Sequence, residues 1–138
     1  MIKDIVKDTD ILTQKSEQVS VEEAQEIITD LLDTANHHID DCAGLAAPQI
    51  GVHKKVIVVR TGNSFFPMIN PMIIKKSGRK FVNTEGCLSL EGSRSVERFP
   101  TILVSYFDRN GKRNTKTYNG LMAVIVQHEV DHLNGILI

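Results

Sequence analysis

Near the end of the chain stands His128-Glu-Val-Asp-His132. On a helix, residues four apart project from one face about one turn apart, so a single divalent ion can accept an imidazole from each. Glu129 directly follows His128 and can approach the same site without being a ligand, placed to take and return a proton. This is the HExxH arrangement of metal-dependent hydrolases. Leu121, Val124, Ile125, His128 and His132 share one helical stripe. The imidazoles therefore continue an apolar face, and rings turned inward need polar partners.

Two histidines do not complete a catalytic metal site, in which three protein ligands are usual. After His132 come only Leu-Asn-Gly-Ile-Leu-Ile138, none with a strong ligand side chain, so the third ligand must lie upstream. Cys87, in Glu85-Gly-Cys-Leu-Ser89, is the leading candidate, with Gly86 expected to allow close approach to a helix. Cys42, also near a glycine, is the competitor. His37 and His38 read as helix-end or surface residues, and His53, between Val52 and two lysines, as exposed. A Cys-His-His set with one open position suits Fe(II), Zn(II), Ni(II) or Co(II), and affinity alone does not choose among them.

The elements that must position these residues can be read from pattern. Ser20-Val-Glu-Glu23 has the form of a capping box. Behind it, Val21, Ala24, Ile27, Ile28, Leu31, Leu32, Ala35 and Ile39 recur at helical spacing, predicting a helix over 21–39. Residues 42–51 are small and apolar with two glycines and a proline, and are expected to form a closely approached loop. Strands are expected at 55–60, at 65–70 and 72–75 with Pro71 interrupting, at 81–84 leading into the cysteine motif, and at 102–107. An Asn110-Gly111 turn should return the chain over 112–118, with positive φ angles at the pair. Asn119 reads as the N-cap of a second helix over 121–134, with Gly135 as its stop. The fold class is therefore α+β: mostly antiparallel short strands around a central C-terminal helix carrying HExxH, with an N-terminal helix packed outside.

With 138 residues the chain is expected to be a single domain spanning 1–138. Lys and Arg number 16 against 17 Asp and Glu, which argues against a polybasic nucleic-acid binder. Aromatic content of 5% with no Trp disfavours base-stacking platforms. No apolar run approaches the ~18 residues of a membrane span. The acidic residues of the first ten positions do not fit a transit peptide. A cytoplasmic monomer with free or metal-bound cysteines is the expectation.

Gly44-Leu-Ala-Ala-Pro-Gln49, Glu85-Gly-Cys-Leu-Ser89 and Gln127-His-Glu-Val-Asp-His132 together resemble, in order and separation, the three signature motifs of peptide deformylases. The resemblance covers about residues 20–135. It implies removal of the formyl group from N-formylmethionyl nascent peptides, with the ribosome as a further partner. It implies that Cys87, His128 and His132 ligate one metal, natively Fe(II), and that Glu129 is the catalytic acid and base. It implies that the Gln49 side-chain amide and the backbone N–H of Leu88 bind the developing oxyanion, and that Gly44 contacts the substrate backbone.

The residues read in the same direction. Gln49 is an uncharged donor, suited to an oxyanion in a dry site. The segment containing Ala43, Gly44 and Leu45 could let a peptide lie alongside as an added strand. Leu121, Val124 and Ile125 would form an apolar wall for a methionine side chain. Of Arg94 and Arg98, one is expected to pair with Glu85 or to touch the substrate backbone, with Arg94 taken as the substrate contact; Asp131 reads as a solvated helix acid. The family's first motif usually begins Gly-x-Gly, whereas here Cys42 stands first, which would strain a positive φ and adds a thiol near the site. Ala43 is smaller than the bulky aliphatic common there. Two other readings remain: a catalytically weak or silent deformylase-like protein that binds metal or formylated peptide, and another HExxH amide hydrolase.

Overall fold

The structure, a computed structural model, describes all 138 residues, Met1–Ile138. A short helix α1 (Thr9–Leu12) precedes α2 (Val21–His37). Strand β1 (Gly44–Ala46) runs into a 3-10 turn (Ala47–Ile50). Then come β2 (Val56–Thr61), β3 (Ser64–Ser77), β4 (Phe81–Cys87), β5 (Leu90–Arg98), β6 (Thr101–Phe107), β7 (Arg113–Asn119) and α3 (Gly120–Leu133).

A five-stranded sheet, in order β1-β2-β3-β6-β7, is antiparallel throughout, and β4-β5 form a separate antiparallel ribbon. The two long helices lie on opposite faces of the larger sheet. On β2, Val56 and Val58 join Ile28, Leu31 and Ala35 of α2 in one core, while Ile57 and Val59 join Ala123, Ile125 and Val126 of α3 in the other. Burial on both faces explains why β2 reads as an unbroken apolar run rather than an alternation. The α+β arrangement, with HExxH on the last helix, is as the sequence predicts.

Several local expectations need correction. Residues 42–51 are not a plain loop, because Gly44, Leu45 and Ala46 pair with Val59, Val58 and Ile57. Pro71 does not divide two strands. β3 runs through it by a register shift between Ile69 and Met72, where its partner changes from β2 to β6. Asn70 takes a φ of 49° there, a conformation Asn tolerates. Its amide is held by the backbone of Val19 at 2.8 and 3.0 Å. In the turn after β6 only Gly111 has positive φ (86°), and Asp108 Oδ1 closes it by accepting from the N–H of Asn110 and Lys112, each at 3.0 Å.

The helix ends are mostly as expected. Ser20 Oγ accepts from the Glu23 N–H at 3.1 Å, and α2 ends at His37, before the anticipated Ile39. Asn119 is the N-cap residue of α3, but its side chain bonds no first-turn N–H; its Oδ1 accepts from Thr101 Oγ1 at 2.8 Å instead. Gly135 stops α3 with φ 74°, and a Cβ there would stand 2.3 Å from the Thr13 carbonyl oxygen. His53 is half-buried rather than exposed, with Nε2 2.9 Å from the Ile11 carbonyl. No helix is long and apolar enough to cross a membrane.

Candidate metal centre

The β4-β5 ribbon presents its end to α3. Glu85 and Cys87 lie two apart on β4, so both side chains face the same way. The pairs Glu85↔Arg94 and Cys87↔Leu90 show that β5 carries the extra residues of a bulge, with Gly92 at φ 71°. Leu88 and Ser89 form the tight turn that closes the ribbon beyond Cys87. A Cβ on Gly86 would lie 3.3 Å from the Gly92 carbonyl oxygen. Gly86 therefore permits close approach of the ribbon's second strand, not of a helix.

One ligand atom each from Cys87, His128 and His132 lie within 4.8 Å of one another. The His128 and His132 Nε2 atoms face each other at 3.1 Å. Glu85 Oε1 lies 2.7 Å from His128 Nδ1. With an ion bound, a carboxylate there takes the Nδ1–H and leaves the Nε2 lone pair to the ion. Without one, burial opposes the charge of the His128 ring, but the Cys87 and Glu85 bonds outweigh it and raise the ring to about 10. The buried His132 Nδ1 and Glu129 Oε1 have no protein partner. Two facing imidazole nitrogens beside a thiol and an unpartnered carboxylate oxygen fit a divalent ion with one open position. Cys42 is not in the group: it is buried and its thiol donates to the Gly44 carbonyl at 3.2 Å. Its φ is not positive, so the strain expected from replacing glycine does not arise.

Electrostatics follow from the surroundings. Burial pushes the Glu129 carboxyl up to about 7, where it can accept and donate protons near neutrality. Burial, with the nearby His128, holds the His132 ring down to about 3 and so neutral, as a ligand must be. Burial alone would raise Cys87, but His128 and the N–H groups of Ser89 and Leu90 outweigh it and lower the thiol. Burial likewise opposes the Glu85 charge, yet hydrogen bonds from His128, Arg98 and Asn83 bring its carboxyl down to about 2.

Arg98 is the basic partner of Glu85, with Nη2 to Oε1 at 2.8 Å and Nε to Oε2 at 3.0 Å. Its Nη1 donates to Asp131 Oδ2 at 2.6 Å. Asp131 is thus tied to His128 through Arg98 and Glu85, and is not a free surface acid. Arg94 reaches only the Glu91 carbonyl, at 3.2 Å, and its Nε and Nη2 are buried without partners. The sequence reading missed the Glu85–His128 contact and the Asn83 amide, which donates to Glu85 Oε2 at 2.8 Å. The available signal was the two-residue spacing of Asn83, Glu85 and Cys87 on one strand face.

A cavity opens beside these groups, lined by Ala43, Gly44, Cys87 and Leu88 on one side and by Leu121, Val124, Ile125, His128 and Glu129 on the other. Cys42, Asn83 and Glu85 also line it. Leu121 stands at its mouth, 74% exposed. Leu45 lies elsewhere, its side chain fully buried in the core beneath α2. Gln49 is buried and does not line the cavity, but it is bonded to the turn that follows Cys87. Its Oε1 accepts from the Ala46 N–H at 3.0 Å and its Nε2 donates to Ser89 Oγ at 3.2 Å. Those two bonds fix which end of the amide faces the Cys87 turn, and one N–H remains free to donate.

Comparison with known proteins agrees along the whole chain. A family profile described as polypeptide deformylase matches residues 2–138. The peptide deformylase of Clostridium beijerinckii is 46% identical over 138 residues, covering 100% of both chains. Peptide deformylase 2 of Clostridium acetobutylicum is 36% identical, covering 96% of this chain and 89% of that protein. Among solved structures, the Met-Ala-Ser-bound class I type b peptide deformylase of Acinetobacter baumannii superposes with a TM-score of 0.89 at 32% identity, over 99% of this chain and 97% of the other.

Proposed function

The chain belongs to the polypeptide deformylase family, and from that premise we propose that it hydrolyses the formamide of N-terminal formylmethionine in nascent peptides. The observation that carries the reading is the convergence of Cys87, His128 and His132 beside the buried Glu129, at the head of a cavity with an apolar wall. Met-Ala-Ser, the peptide in the Acinetobacter structure, is what remains when formyl-Met-Ala-Ser loses its formyl group.

Cys87, His128 and His132 would hold the ion, with Fe(II) as the proposed native metal and Zn, Ni or Co as substitutes. Such an ion supplies a Lewis acid that lowers the pKa of water toward neutrality. Glu129 takes a proton from water as its oxygen adds to the formyl carbon, and returns that proton to the departing amine. The free Nε2–H of Gln49 and the Leu88 N–H are the proposed donors to the developing oxyanion. Formate and a peptide with a free amino group result.

The substrate's place follows from the same elements. β1 is an edge strand of the larger sheet, so its outer backbone can pair with an extended peptide. Leu121, Val124 and Ile125 then receive the methionine side chain, and Ala43 and Gly44 flank the peptide backbone. Arg94 is proposed to contact the substrate further along.

The test is formate release from formyl-Met-Ala-Ser by protein purified anaerobically with iron or nickel. Glu129→Ala should abolish release while the metal content stays at one per chain. Bound metal without any turnover by the parent would favour a silent family member, and cleavage of an unformylated peptide would favour a different amide hydrolase.

A further inference from the structure

β1, an edge strand of the larger sheet, reaches the cavity through Gly44, and its outward backbone groups follow from its pairing. The Arg60 N–H donates to the Ala43 carbonyl at 2.9 Å, and the next residue, Gly44, stands opposite Val59. Bonded and non-bonded pairs alternate along an antiparallel ladder. Gly44 therefore turns its N–H and carbonyl away from β2, to the free edge. Further along that edge, the Ala46 N–H is already taken by Gln49 Oε1. The Gly44 carbonyl is taken too, by the Cys42 thiol at 3.2 Å. Cys42 is 4% exposed and belongs to the core of Leu45 and Val58. It nevertheless lines the cavity with Gly44 and Glu129, whose buried Oε1 has no partner. The Cys42 thiol is outside the metal group and takes no part in the proposed proton transfer.

This inference rests on the deformylase reading and deepens it. A substrate that adds a strand to β1 needs an acceptor for its backbone N–H, and the Gly44 carbonyl is the outward acceptor at the cavity. We propose that Cys42 is a positioning residue for the substrate backbone. Its thiol holds the Gly44 carbonyl in place and keeps water off it until a substrate N–H arrives. A carbonyl oxygen has two lone pairs and can accept from both donors at once. The thiol suits the task because it is a small apolar group with a weak donor. It fills the space beside the carbonyl without competing strongly for it. The substrate N–H bond it prepares is formed before the chemistry and persists through it, so its weakening should appear in KM and not in kcat.

The first test compares formate release from formyl-Met-Ala-Ser by the metal-loaded parent, Cys42→Ala and Cys42→Ser. Cys42→Ala should raise KM about three- to tenfold, the scale of one modest hydrogen bond, with kcat unchanged. Cys42→Ser restores a donor and should stay within about twofold of the parent. A role in packing alone gives the opposite order, because serine puts a hydroxyl among apolar neighbours and alanine does not. The second test needs no turnover and no variant that folds. Cys42 and Cys87 are the only cysteines, and a metal-bound Cys87 carries no proton, so the infrared S–H band reports Cys42. Saturation with Met-Ala-Ser should move that band to higher frequency, since a carbonyl that also accepts an N–H holds the thiol less tightly. An unchanged KM in Cys42→Ala, a KM raised at least as far in Cys42→Ser, or an S–H band that ignores Met-Ala-Ser overturns the proposal while the deformylase reading stands. A parent inert on formyl-Met-Ala-Ser overturns the deformylase reading, and this proposal with it.

Discussion

Gly44 and Glu129 are in such close contact that any larger residue at position 44 must displace the Glu129 side chain. A Cβ there would stand 2.7 Å from Glu129 Oε2 and 2.9 Å from its Cγ. Gly44 does not have positive φ, so the reason for glycine is this approach and not backbone conformation. The carboxylate is wedged between β1 and α3, which fixes where it can exchange a proton.

Gly44→Ala should therefore damage activity more than stability. The added methyl meets a side chain and no backbone, so the carboxylate can move aside, but it then leaves its working position. A displacement near 1 Å can cost ~10²-fold in rate. The expected outcome is a kcat lower by about that factor with little change in melting temperature. A melting temperature lowered in step with activity would show that the contact matters for folding instead.

Glu85→Gln tests the support behind His128. The substitution keeps the shape but removes the charge that Arg98 and His128 share, and Arg98 is only 3% exposed. Loss of a partner that orients a histidine ligand typically weakens metal affinity by ~10–100-fold. Leaving a buried charge without its main partner costs ~3–5 kcal/mol, moderated here because Asp131 still holds Arg98. Chelator competition should show the weaker metal binding, and denaturant titration the lost stability. Retention of both at parental values would mean that Glu85 does not orient the ligand.

Much of this centre was legible because its chemistry is local in sequence. His128, Glu129 and His132 fall on one turn of a helix, and their continuity with Val124 and Ile125 betrays the inward face. The ribbon that brings Cys87 to them was harder to read. β5 is Leu-Glu-Gly-Ser-Arg-Ser-Val-Glu-Arg, with weak strand propensity, and it is held by pairing with β4 rather than by a core. The short strand at 44–46 hides for a related reason: small residues suit a tight loop equally well until a neighbour such as β2 pairs with them. The Glu85–His128 contact spans 43 positions in sequence; the two-residue spacing of Glu85 and Cys87 puts both on one strand face but does not identify the partner.

Gln49→Leu tests the proposed oxyanion donor. Gln49 also holds the Ala46 N–H, so Gln49→Glu is the better-matched control: it keeps that acceptor and removes the amide donor. Each should lower kcat by ~10²–10³-fold, the scale of one lost oxyanion donor, with metal content unchanged. Activity within a few-fold of the parent in both would remove Gln49 from the proposed machinery.

Cys42 supplies a prediction about pH. Burial, reinforced by the nearby Glu129 carboxylate, pushes its thiol from 9.0 up to about 12 in the fold. Between those values the folded chain holds a proton that the unfolded chain has released. Stability from this group is therefore complete below pH 9 and declines as pH rises toward 12. Cys42→Ala should lose packing stability at pH 8, yet the gap between parent and variant should narrow at pH 10.5, as measured by denaturant unfolding at both values. Thiol labelling gives an independent reading. In metal-free protein at pH 8, Cys87 should react first and Cys42 only on unfolding, since the thiolate is the reactive form. Rapid labelling of Cys42 in the folded state, or a stability gap that widens with pH, would contradict the assignment.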